Sequence, residues 1–116
     1  MSKRHWKLRV EDIIICTERI HIYVGNMNYE DFTSDQKTID AVVRNLEIIG
    51  EASKNMPTEI IRKFDNINWE GIIGLRNRIA HVYFGLDLKI IWRITQDEVP
   101  ILQKQMTEIL TSSEES

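Results

Sequence analysis

The chain has 116 residues, 42% apolar and 28% charged, with a net charge of −3. That length suits one domain with one core, and the composition is that of a folded globular protein rather than a disordered one. A single cysteine, Cys16, excludes an intrachain disulfide and a cysteine-built zinc site.

No apolar run approaches the roughly 18 residues of a membrane span. The opening MSKRHWKLRVED carries no apolar leader segment, so cytoplasm is the expected compartment. The sequence pI of about 5.6 argues against tight binding of long nucleic acid by bulk charge. A polyanion would have to meet a local positive patch.

The apolar periodicity is helical throughout. A first helix is predicted from about Lys7 to Val24, with Val10, Ile13, Ile14, Thr17, Ile20 and Val24 on one stripe. Gly25 and Asn26 tolerate positive φ and stop it. Met27 to Ser34 reads as a polar loop, whose Thr33 or Ser34 caps the next helix, with Gln36 completing a capping box. That second helix runs from about Asp35 to Lys54 and buries Ile39, Val42, Val43, Leu46, Ile49 and Ser53. Pro57 suits a first helical position, and Thr58 to Phe64 is then a short third helix. Asn66 or Asn68 caps a fourth helix, Trp69 to Tyr83, which Gly85 ends. Asp87 caps a fifth, bearing Leu88, Ile91 and Trp92, which Pro100 kinks or restarts. Val99, Leu102, Met106, Ile109 and Leu110 continue its stripe, and Thr111 to Ser116 reads as a frayed polar tail after a single domain over 1–110. Four long helices and one short one, joined by short loops, predict an all-α antiparallel bundle.

Most polar residues fit a solvated face, and no histidine pair has metal-binding spacing, so no metal or cofactor is expected. The fourth helix is different. At about 100° per residue, Gly71, Gly74, Asn77, Arg78 and His81 share one stripe. Each glycine weakens a helix by about 1 kcal/mol relative to alanine, which suggests close approach of another backbone or a ligand there. Arg76 falls on the opposite, apolar side with Ile72, Leu75, Ile79 and Tyr83, where a guanidinium needs an anionic or carbonyl partner. Arg76 and His81 lie about 140° apart on an ideal helix, so they converge only through the reach of arginine, a loosened turn or a second subunit. Helix geometry alone favours a structural role for each.

The stretch Arg76-Asn-Arg-Ile-Ala-His81-Val-Tyr83 resembles the Arg-x4-6-His motif of the HEPN superfamily, in the Arg-x4-His-x-Tyr form of the HepT toxins. Val43-Arg-Asn-Leu-Glu-Ile-Ile-Gly-Glu-Ala52 is similar to that family's second-helix signature, and Trp69, Gly74-Leu-Arg-Asn, Tyr83-Phe-Gly-Leu-Asp87, Trp92 and Pro100 fit its spacing. The resemblance implies a four- to five-helix bundle that pairs as a homodimer, with the motif lining a cleft near the dimer interface. It further implies a metal-independent endoribonuclease acting on RNA and paired, as a toxin, with an MntA-like nucleotidyltransferase antitoxin that adenylylates the motif tyrosine. Carried over, Arg76 and His81 are catalytic, Asn77 is the polar residue following the arginine, and Tyr83 is the modified position.

The chemistry is consistent with those roles. RNA brings its own nucleophile, the 2′-hydroxyl, and needs a base, an acid and positive charge on the phosphate. His81 exchanges protons near neutral pH, and Arg76 binds phosphate oxygens. The helix C-terminus favours charged His81, while Arg76 and Arg78 oppose it. Glu51, in Gly50-Glu-Ala-Ser53, either orients a cation of the fourth helix or is solvated. The competing reading is a non-catalytic helical subunit that docks a nucleotidyltransferase; RNA cleavage that survives EDTA but not His81→Ala separates the two.

Overall fold

The structure is a computed structural model that describes residues 3–80 and 88–115, with side chains described for 6–79 and 88–112. Every element among the described residues is helical: α1 (Lys3–Val24), α2 (Tyr29–Thr33), α3 (Gln36–Lys54), α4 (Thr58–Lys63), α5 (Trp69–Ile73), α6 (Leu75–Ala80), α7 (Leu88–Arg93), a π-helical turn (Ile94–Glu98) and α8 (Val99–Glu115). None of them is long and apolar enough to cross a membrane.

The bundle is organised on α1 and α3. These two lie against each other, α8 covers α1, and α5 and α6 cover α3. Their shared core is the apolar stripe expected from spacing: Val10, Ile13 and Ile20 from α1, Val42, Leu46 and Ile49 from α3, and Met106 and Ile109 from α8 are all buried. Removing each such side chain from water stabilises the fold by about 1.5–3 kcal/mol. Thr17 stays in the stripe because its hydroxyl donates to the Ile14 carbonyl at 2.6 Å, and Asn45 donates to the Ala41 carbonyl at 2.8 Å. Cys16 is buried, and that desolvation raises its thiol pKa above the ordinary value of 9.0.

Gly25, with φ +47°, ends α1 as its sequence position suggested. The segment after it is not a plain loop. Asn28 accepts from the Asp31 amide at 2.8 Å while Asp31 accepts from the Asn28 amide, a reciprocal capping box that starts α2. The short turn buries Phe32 completely and sets its ring 5.3 Å from Trp92 on α7. The cap of α3 is Asp35, which accepts from the Thr38 amide at 3.1 Å, rather than Thr33 or Ser34. Those two hydroxyls turn back to the Glu30 carbonyl, satisfying the end of α2. Pro57 is the N-cap of α4, one position earlier than expected.

Pro100 lies in the first turn of α8, where the fifth helix restarts after a π turn. It lacks the N–H that would bond the Gln96 carbonyl, and its ring crowds that carbonyl. The chain relieves the crowding upstream by widening Ile94–Glu98 into a π turn, in which the Val99 amide reaches back to the Ile94 carbonyl. Downstream the helix continues to Glu115, through residues that read as a frayed tail in the sequence. The expected Gly85 stop and Asp87 cap lie outside the described residues.

Candidate active site

The predicted fourth helix is two helices. Gly74 is the C-cap of α5, its amide bonding the Glu70 carbonyl at 2.9 Å. The ladder resumes when the amides of Asn77 and Arg78 both bond the Gly74 carbonyl, at 3.1 and 3.2 Å. Asn68 starts α5 by accepting from the Gly71 amide at 3.1 Å, and Trp69 is fixed by an indole bond to the Phe64 carbonyl at 3.0 Å.

The structure corrects the placement of Arg76. An unbroken wheel puts it on the apolar side. In the structure Leu75 and Ile79 are buried, whereas Arg76 and Asn77 are both exposed. The role of the glycines also changes. The nearest atoms that a Cβ on Gly71 or Gly74 would meet belong to their own segment. The close backbone approach occurs instead at Gly50 of α3. There a Cβ would stand 3.4 Å from the Ile72 carbonyl oxygen, 3.7 Å from that of Ile73 and 3.9 Å from the Arg76 amide nitrogen. A small residue at that position, with room for a methyl group and little more, lets the end of α5 and the start of α6 settle on α3.

The result is an open depression of about 330 Å³ lined by Gly50, Glu51, Lys54, Ile73, Arg76 and Asn77. A second, of about 250 Å³, adjoins it through Glu51 and Arg76 and adds Arg44, Glu47 and Ile48. Glu51 therefore faces the same solvent-filled region as Arg76 and Asn77, which the sequence left open. Arg78 turns elsewhere: its guanidinium forks onto the Glu98 carboxylate at 3.0 and 2.6 Å. That bond to Glu98 raises its pKa further above the ordinary value. His81 and Tyr83 lie outside the described residues. Lys54 and Arg44 escaped the sequence reading; their signal was their position three residues after Glu51 and seven before it, on the same helix.

An exposed guanidinium and a carboxamide beside a lysine, in an open hollow between two helices, can hold a phosphodiester while leaving room for its sugar and base. The site thus has the character of one acting on a phosphate-bearing polymer. Residues 13–109 match the family described as Ribonuclease HepT-like. The chain is 37% identical over 107 residues to a probable ribonuclease HepT of Thermococcus cleftensis, covering 92% of this chain and 97% of that protein. It is 37% identical over 114 residues to a Methanocaldococcus jannaschii protein bearing a provisional RNase name, with 98% and 94% covered. A Caldanaerobacter subterraneus protein, also with a provisional RNase name, is 45% identical over 87 residues, covering 75% of this chain and 78% of that one. No solved structure matches the chain. The chain belongs to the HepT-like ribonuclease family, as its second-helix and arginine–histidine motifs suggested.

Proposed function

We propose that the protein is a metal-independent endoribonuclease toxin that cleaves RNA through its own 2′-hydroxyl. The observation that carries this reading is the opening of Arg76 and Asn77 onto one solvent-filled depression with Glu51, five residues ahead of His81 in a HepT-like chain. In this mechanism a His81 imidazole takes the 2′-hydroxyl proton as the 2′-oxygen bonds to phosphorus. The bond from phosphorus to the 5′-oxygen breaks, and a protonated imidazole donates to that oxygen. The products are a 2′,3′-cyclic phosphate and a free 5′-hydroxyl. Arg76 binds the non-bridging oxygens, whose charge grows in the transition state, and Asn77 donates an amide hydrogen to the same group.

A homodimer supplies the two imidazoles, one as base and one as acid. The open face of α1 supports pairing: Leu8, Ile15 and Ile22 stand at seven-residue intervals and are 50%, 43% and 72% exposed. In the same reading an MntA-like nucleotidyltransferase antitoxin silences the enzyme by adenylylating Tyr83. The added AMP places negative charge two residues from His81 and competes with RNA for Arg76.

Purified protein incubated with total RNA in EDTA tests the proposal. Cleavage that persists in EDTA and is lost in both His81→Ala and Arg76→Ala is the expected result; intact RNA with the wild-type protein overturns it. Tyr83→Phe is expected to cleave normally and to resist inhibition by the partner. Loss of cleavage in folded Tyr83→Phe would instead make that hydroxyl part of the chemistry.

A further inference from the structure

The two adjoining depressions share Arg76 and Glu51, and each adds one cation from α3: Lys54 on one side, Arg44 on the other. Arg44 and Lys54 are ten residues apart, about 15 Å along the helix axis at 1.5 Å per residue. Arg76 lines both of these hollows. Among the described residues none of these three cations forms an ion pair, whereas Arg78, two positions on, is held by Glu98. We propose that Arg44, Arg76 and Lys54 form a track along α3 that binds successive phosphates of a single RNA strand. Lys54 and Arg44 are its flanking contacts, on either side of the scissile group at Arg76. This inference rests on the nuclease reading above and specifies the form of its substrate.

Three further observations favour a single strand. The chain is acidic overall, so RNA must be drawn by a local row of cations rather than by the whole surface. Glu47 and Glu51 interleave with that row. Under a duplex lying flat on α3, phosphates of one strand or the other would meet these carboxylates. A single strand can turn its phosphates to the cations and its base edges to the carboxylates, which accept from the exocyclic amines of cytosine and guanine. Finally, the depression beside Arg76 is open and about 330 Å³ in volume, so an unstacked nucleotide has room there.

The test uses the full chain and a fluorescent single-stranded oligoribonucleotide of about a dozen nucleotides. Full 2′-O-methylation leaves no free nucleophile, so binding is read without cleavage. Affinity is measured by anisotropy between about 50 and 200 mM salt. Each phosphate contact on a single strand contributes about 0.7 to the slope of log K against log salt. Lys54→Gln and Arg44→Gln are each expected to lower the slope by about 0.7, and the double variant by about 1.4. Lys104→Gln, an exposed cation on α8 away from both depressions, is expected to leave it unchanged. Unaltered slopes in the two track variants, an equal fall in Lys104→Gln, tighter binding of the matching duplex, or no binding by wild type would each overturn the track. Cleavage of unmodified RNA is followed in parallel. Wild-type cleavage with unaltered slopes sinks the track alone; the expected slope losses without cleavage sink the nuclease reading and leave the track standing as a binding surface.

Discussion

Arg78 and Glu98, twenty residues apart in sequence, meet as a two-pronged ion pair at 3.0 and 2.6 Å that ties α6 to the π turn before α8. Arg78 and Arg76 sit on the same short helix, so the clasp on one fixes the position of the other. The pair is partly open to solvent, with side chains 38% and 49% exposed. Its contribution to stability is therefore about 1 kcal/mol at most, at the upper end for exposed pairs because of the fork. Glu98→Gln should lower the unfolding free energy by up to about 1 kcal/mol in urea titrations. It should lower RNA cleavage more than this loss explains, by freeing the helix that carries Arg76. The exchange Arg78→Glu with Glu98→Arg should recover part of both. No recovery in the exchanged pair would show that the contact is incidental.

Gly50 yields a graded prediction. Its absent Cβ would make ordinary van der Waals contact with the Ile72 carbonyl at 3.4 Å. Gly50→Ala is thus tolerated and gains from helix propensity, by up to about 1 kcal/mol. Gly50→Leu cannot be tolerated in the same way, because its branches must push α5 and α6 off α3 or fill the depression beside Arg76. The expected cost is about 1–3 kcal/mol, with cleavage reduced well beyond that of Gly50→Ala. Equal denaturant midpoints for the two variants would remove the close-approach role from this residue.

Asp35 gives the fold a pH dependence. Its carboxylate accepts the Thr38 amide at the start of α3, and these bonds hold its pKa below the ordinary 3.8. A carboxyl depressed in the folded state contributes stability that is fully present above its unfolded value and is lost as pH falls through the folded value. The melting temperature of Asp35→Ala should therefore lie below that of wild type at neutral pH. The two should converge as pH drops below about 3.8. A gap that is constant across this range would mean that the cap acts by shape rather than by charge.

The α1–α3 core was legible because one period governs it: Val10, Ile13 and Ile20 face Val42, Leu46 and Ile49 at helical spacing, and nothing along either helix disturbs the phase. The arginine–histidine motif was legible as a string of residues, but the surroundings of Arg76 were not. Reading Trp69 to Tyr83 as one helix passed over the break at Gly74, and the wheel placed Arg76 by angle alone, without the neighbouring α3 that leaves it at an open depression. Gly50 looked like one more residue of the second helix, since a close approach involves two segments and a linear pattern describes one. Pro100 signalled a disturbance correctly, but where a helix relieves its crowding depends on tertiary contacts. Here relief came upstream, in the turn that carries Glu98 to Arg78.

Ser53 provides a test of the packing beneath the site. It stands on α3 three residues after Gly50, is 0% exposed, and its hydroxyl oxygen has no hydrogen-bond partner among the described residues. Burying an unsatisfied hydroxyl costs about 1–3 kcal/mol. Ser53→Ala removes that group with a change of one atom and adds helix propensity. The expected outcome is a rise of about 1 kcal/mol in unfolding free energy, seen as a higher urea midpoint at unchanged slope, with RNA cleavage unaltered. Ser53→Val adds volume at a position that is 0% exposed, and is expected to lose about 1–3 kcal/mol. A fall in stability for Ser53→Ala would mean that the hydroxyl has a bonded partner in solution, for which an ordered water between α3 and its neighbours is the natural candidate.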